Sequence, residues 1–145
     1  MNQYSRRKAR KLAVQAIYQW QITQDPIDYV SAQFLAEANP KKIDIEYFID
    51  IVNGVANNCN VLDQNIQPFL DRKFGALDVV ETAVLRLAIY ELLKKMDVPY
   101  KVVINEALDL TKLYGSVEGF KYVNGILDKV ARVLRCNEIG IGKNI

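Results

Sequence analysis

The stretch Val79-Val80-Glu81-Thr82-Ala83-Val84-Leu85-Arg86-Leu87-Ala88-Ile89-Tyr90-Glu91-Leu92-Leu93 is apolar nearly all round a helical wheel. Asp78 precedes it and Glu81 follows three residues later, which is the spacing of a capping box with Asp in the cap position. A helix with no polar face belongs at the centre of a bundle. Glu81, Arg86 and Glu91 are scattered around it. They are expected to mark where the helix emerges to solvent or meets a partner.

Outward from this segment the chain reads as helices throughout. Asp97-Val98-Pro99 is a break, and Pro99 opens a helix whose inner face is Val103, Ala107, Leu110 and Tyr114. Gly115 suits a C-cap and Ser116 the next N-cap. Phe120, Val123, Leu127, Val130 and Leu134 form the core stripe of the last helix. Gly125 lies inside it at a cost of about 1 kcal/mol relative to Ala, so close packing against a neighbouring helix is expected. The last ten residues show no helical pattern and read as a frayed tail.

Towards the N-terminus, Phe48, Ile51, Val52, Val55, Cys59, Leu62 and Ile66 form one narrow apolar stripe. They predict a single helix from Asp44 to Pro68. Phe69, Leu70 and Phe74 follow in an irregular connector closed by Gly75. Asp25-Pro26 predicts the start of a short helix that Asn39-Pro40 ends. The first helix is expected from about Ser5, as N-cap, to Gln24, with Ala9, Ala13, Ala16 and Trp20 facing inward and Leu12 and Ile17 widening that face. No strand pair and no internal repeat is visible. The predicted fold is all-α, with about seven helices and helical subdomains at about 1–70 and 75–135.

Composition narrows function by exclusion. The chain has 145 residues, 19 Lys plus Arg, 17 Asp plus Glu and no His. Without His there is no Ser-His-Asp triad and no His-ligated zinc. Cys59 and Cys136 belong to no CxxC pair. No glycine-rich phosphate loop and no nucleophile elbow is present. The expectation is a binding protein, not an enzyme, with no metal and no cofactor. No apolar run reaches the ~20 residues needed to cross a bilayer, and no signal region follows the basic N-terminus. A cytoplasmic protein is expected.

The formal charge of +2 hides an asymmetry. Arg6, Arg7, Lys8, Arg10 and Lys11 put five cations into six residues, and the rest of the chain keeps 14 cations against 17 anions. A helix N-terminus disfavours cations, so helix stability does not explain the block; a polyanion does. Arg7, Lys11, Gln15 and Tyr18 lie within about 80° on the wheel. Charge for phosphate, a ring for stacking and an amide for base edges are the ingredients of a single-stranded RNA surface.

Several stretches resemble the NusB family of bacterial transcription antitermination factors. They are Arg6-Arg7-Lys8-Ala9-Arg10, Ala13-Val14-Gln15-Ala16-Ile17-Tyr18-Gln19-Trp20, the Glu81 to Leu92 segment, Val98-Pro99-Tyr100-Lys101-Val102-Val103-Ile104-Asn105-Glu106-Ala107, and Lys121-Tyr122-Val123-Asn124-Gly125-Ile126-Leu127-Asp128. The resemblance covers Ser5 to Arg135. It implies two three-helix bundles. It further implies a heterodimer with the ribosomal protein NusE that binds the boxA element of nascent RNA, joins other Nus factors and RNA polymerase, and suppresses termination, notably in ribosomal RNA operons. Carried over by position, it places Arg6, Arg7, Lys8 and Arg10 on boxA phosphates. Lys11, Gln15, Tyr18, Lys101, Lys121 and Tyr122 join the RNA surface, and Glu81, Val80 and Tyr100 face NusE. Tyr122 stands where the family has Phe, so it can still stack and gains a donor. Asn105 and Asn124 read as buried hydrogen-bonding residues. The segment Val117-Glu118-Gly119-Phe120 departs from the family pattern.

Three other readings stay open. One is a helical adaptor without RNA contact. Another is the accessory domain of an RNA cytosine methyltransferase, although 145 residues leave no room for a cofactor-binding sheet. The third is a homodimer that covers the RNA surface.

Overall fold

The computed structural model describes residues 2–71 and 77–140, so Phe74 and Gly75 lie outside it. Among the described residues eight α-helices appear in order: α1 Gln3–Thr23, α2 Ile27–Ala36, α3 Ile45–Asn57, α4 Cys59–Ile66, α5 Val79–Lys94, α6 Tyr100–Tyr114, α7 Val117–Leu134 and α8 Cys136–Ile139. A short 3-10 turn covers Gln67–Phe69. No described residue is in a strand. No helix among them is long and apolar enough to cross a membrane. The chain forms two compact units, Met1–Cys59 and Asn60–Ile145.

In the first unit α1, α2 and α3 pack against one another. Ala9, Ala13, Ala16 and Ile17 of α1 are fully buried, as are Phe48, Ile51 and Val55 of α3. The three alanines carry no side chain beyond Cβ and let the facing helix approach. The helix starts earlier than the sequence suggests. Asn2 is the N-cap, its Oδ1 accepting the Ser5 N–H at 3.0 Å while Ser5 Oγ donates to the Asn2 carbonyl at 2.8 Å. Pro26 and Pro99 likewise occupy cap positions, one residue before the helices they introduce.

The predicted long third helix is two helices. Asn58 leaves helical geometry, and its Nδ2 donates to the Gly54 carbonyl at 2.7 Å. An Asn amide that bonds the main chain competes with the helix itself. The two compact units meet in sequence at Cys59–Asn60, next to this break. In the second unit Asp63 of α4 takes a bidentate pair from Arg86 of α5, with Nε–Oδ1 and Nη2–Oδ2 both at 2.9 Å. Arg86 therefore marks an internal junction and not an emergence to solvent. Glu91, 1% exposed, is also inside.

The second unit is built on α5, α6 and α7, each packed on the other two. Asp78 caps α5, accepting the N–H of Val80 at 2.7 Å and of Glu81 at 3.4 Å. Ser116 caps α7 by accepting the Gly119 N–H at 3.0 Å. Beyond α7, Cys136–Ile139 of the expected frayed tail form α8. The Arg135 side chain is fully buried. Its Nε donates to the Leu92 carbonyl at 2.8 Å, Nη1 to Val98 at 2.9 Å, and Nη2 to Glu91 at 3.2 Å and Lys95 at 3.0 Å. Nη1 also meets Glu138 Oε1 at 2.6 Å, and Glu138 Oε2 accepts the Tyr100 N–H at 2.8 Å.

Gly125 does not sit at a close packing contact. It is exposed, and a Cβ there would meet nothing within 4 Å. Gly125→Ala is therefore expected to stabilise the protein by about 1 kcal/mol, read as a higher midpoint in urea. Glu138 gives a second expectation. The Tyr100 N–H, opposed by burial and helped by Arg135, holds its carboxyl below the ordinary 4.5. A lowered carboxyl contributes stability above its unfolded value and loses it as pH falls through the folded one. Thermal melts from pH 6 to pH 3 are expected to show a smaller acid-induced loss for Glu138→Gln than for the unmodified chain.

Candidate nucleic-acid and partner interfaces

On α1 the cationic block divides by helical position. Arg6 and Arg10 lie one turn apart on a line that faces Tyr47 of α3, with guanidinium carbons 4.3 and 5.4 Å from the ring centroid. Arg6 Nε also lies 3.9 Å from Asp44, the N-cap of α3. Arg10 is 3% exposed. It is thus a packed residue that holds α3 to α1 through a cation–π contact, and it does not share the exposed surface of Arg7 and Lys11. Arg6 is half-buried in the same arrangement.

Arg7, Lys11 and Tyr18 are exposed, and Gln15 is half-buried between Lys11 and Tyr18, with its Nε2 3.3 Å from the Lys11 carbonyl. The line continues further up the helix than the sequence reading took it. Tyr4 is 60% exposed and the Lys8 ammonium lies 4.8 Å from its ring centroid. Lys8 also holds the Tyr4 hydroxyl below its usual value, first by a hydrogen bond and then by its charge. Tyr4, Lys8, Lys11, Gln15 and Tyr18 fall at i, i+4, i+7, i+11 and i+14, one line on a helix of 3.6 residues per turn. Tyr4 was missed because a helix begun at Ser5 excludes it. Its spacing to Lys8 and Lys11 was the available signal.

In the second unit a cleft of about 520 Å³ lies where the first turns of α5 and α7 meet. Glu81, Ser116, Glu118, Gly119, Lys121 and Tyr122 line it, with Asp71. Glu81 is 9% exposed. Its Oε2 lies 2.8 Å from where a Cβ on residue 119 would stand, so any larger residue there would make the Glu81 carboxylate shift. A carboxylate there complements the N-terminal end of α7. The Tyr122 hydroxyl accepts the Asp71 N–H at 3.2 Å. The group gained over Phe is thus used as an acceptor within the chain.

The structure brings Glu81, Lys121 and Tyr122 to one cleft, with half-buried Val80 beside Glu81 in sequence. It does not bring Tyr100 and Lys101 there. They open α6, where Tyr100 binds Glu138 beside the guanidinium that caps the far end of α5. At 1.5 Å per residue α5 separates the two ends by roughly 20 Å. Asn105 and Asn124 are exposed, not buried.

With these surfaces defined, comparison with known proteins is decisive. The family model described as the NusB family matches residues 7–132. The chain belongs to the NusB family. The transcription antitermination protein NusB of Idiomarina loihiensis is 51% identical over 93% of this chain and 97% of its own length. That of Escherichia coli O139:H28 is 50% identical over 95% and 99%. Among solved structures, T. maritima NusB superposes with a TM-score of 0.78 at 30% identity, covering 87% of this chain and 89% of that one. A crystal structure of NusB and NusE in complex with double-stranded RNA superposes at 0.80 and 26% identity, covering 92% and 99%. These relatives establish the all-α NusB fold for the chain.

The division of the cationic block has a direct check. Arg10→Ala is expected to lower stability by about 2 kcal/mol, since it removes a buried cation–π contact. Arg7→Ala, at an exposed position, is expected to change it by less than about 0.5 kcal/mol. Urea unfolding of the two variants distinguishes them.

Proposed function

We propose that this protein is an RNA-binding antitermination factor. In this reading it pairs with NusE in the cytoplasm, engages single-stranded boxA RNA together with that partner, and helps RNA polymerase read through terminators, notably in ribosomal RNA operons. The observation that carries the reading is the line Tyr4, Lys8, Lys11, Gln15 and Tyr18 on α1, exposed at Tyr4, Lys11 and Tyr18 and half-buried at Lys8 and Gln15, with exposed Arg7 beside it. Cations along one helix face offer charge to a phosphate backbone, and flanking rings offer stacking platforms. The cleft at Glu81 supports a partner-facing role for Glu81 and Val80. Lys121 and Tyr122 at the same cleft support RNA passing close to the partner.

The relative solved with NusE holds double-stranded RNA, so the strandedness of the ligand is part of the test. The measurement is the affinity of the chain, with and without NusE, for a boxA oligonucleotide offered single-stranded and as a duplex, over a series of salt concentrations. Single-stranded RNA with NusE present is expected to bind most tightly. Each phosphate contact contributes about 0.7 to the slope of log K against log salt. Replacing Arg7, Lys8 and Lys11 by Ala is therefore expected to flatten that slope by about two. An unchanged slope and affinity in the triple variant would remove α1 from the RNA surface. Tighter binding of the duplex would overturn the single-strand assignment.

A further inference from the structure

In the first unit a groove of about 460 Å³ runs between α1 and α2 and up to the start of α3. Its floor is Leu12, Phe34 and Ile43, all half-buried. Its walls are amides: Gln15 and Gln19 from α1 and Gln33 from α2. Gln19 Nε2 donates to Gln33 Oε1 at 3.2 Å across the two helices. That bond uses one end of each amide. It leaves the Gln19 carbonyl oxygen as an acceptor and the Gln33 NH₂ as a donor.

The lining contains no Lys or Arg, and its one charged residue is Glu37. A phosphate or a carboxylate ligand is therefore repelled. The groove suits a neutral ligand with a flat apolar body and an edge that carries a donor next to an acceptor. Every nucleobase has that form at its Watson–Crick edge, and Gln and Asn amides are the side chains that read such edges in pairs. Gln15 belongs both to this wall and to the cation line on α1, so groove and line are continuous. We infer that the groove between α1 and α2 receives one splayed-out nucleobase of the bound RNA strand, read by the linked amides of Gln19 and Gln33 while Lys11 and Lys8 hold neighbouring phosphates.

This inference rests on the RNA reading above and names a site within it. The experiment scans a single-stranded boxA oligonucleotide with one abasic position at a time, in the presence of NusE. It compares the unmodified chain with a Gln19→Leu, Gln33→Leu variant. Both changes fall on accessible walls and remove both partners of one bond together, and a melting curve confirms that the variant folds. One abasic position is expected to weaken binding to the unmodified chain by roughly ten-fold, within the range of a single base contact. The variant is expected to lose about the same factor on intact RNA and to be insensitive at that position. Lys11→Ala is expected to weaken every oligonucleotide alike. If the variant binds intact RNA as tightly as the unmodified chain, the groove holds no base. If it loses NusE affinity but keeps RNA affinity, the groove is a protein site and the inference falls. If the unmodified chain binds no RNA even with NusE, the RNA reading fails first, a result distinct from the other two.

Discussion

The second unit depends on one buried guanidinium. Arg135 has five N–H donors and the structure gives each an acceptor, four of them carbonyls at the end of α5 and in the turn that follows. The last carbonyls of a helix have no partner within it, and the buried Arg135 guanidinium supplies donors to this end of α5. A cation at that end also complements the helix dipole. Glu138 then links the same guanidinium to the first N–H of α6. One residue thus ends α5, anchors the end of α7 and sets where α6 begins. Lysine could not replace it, because three donors on a point charge cannot match a planar fork of five.

A similar economy governs the first unit. The cationic block is uniform in one dimension, but a helix sorts it. Arg6 and Arg10 turn to Tyr47 and Asp44, where a ring and a carboxylate offset their charge. Arg7 and Lys11 turn outward. Asp44 is also the cap of α3, and its N–H donates to the Ser5 carbonyl at 3.2 Å. The residues that hold α3 in place are thus the same ones that keep the remaining cations facing solvent.

Much of this was legible in the sequence, for identifiable reasons. The helix from Val79 to Lys94 announces itself because a segment apolar on all sides has only one place to go. The caps Asp78 and Ser116 are read from residue type and spacing alone. What was not legible depends on a partner far along the chain. Arg10 looks like its neighbours until Tyr47, 37 positions later, claims it. Arg135 looks like the end of a helix until α5 supplies the acceptors. Gly125 and Asn124 suggested packing because glycine and buried amides usually mean that, yet both are exposed. Motif proximity also misled. Tyr100 and Glu81 share a recognisable stretch but lie at opposite ends of α5.

The closeness of Glu81 to residue 119 couples those two positions. A methyl group at 119 would occupy the space of the Glu81 carboxylate, and a shorter acid at 81 would free it. Neither position can drift alone without altering the floor of the cleft. In descendants of this sequence a change at one should travel with a change at the other, although 38 residues separate them and neither would attract notice by itself.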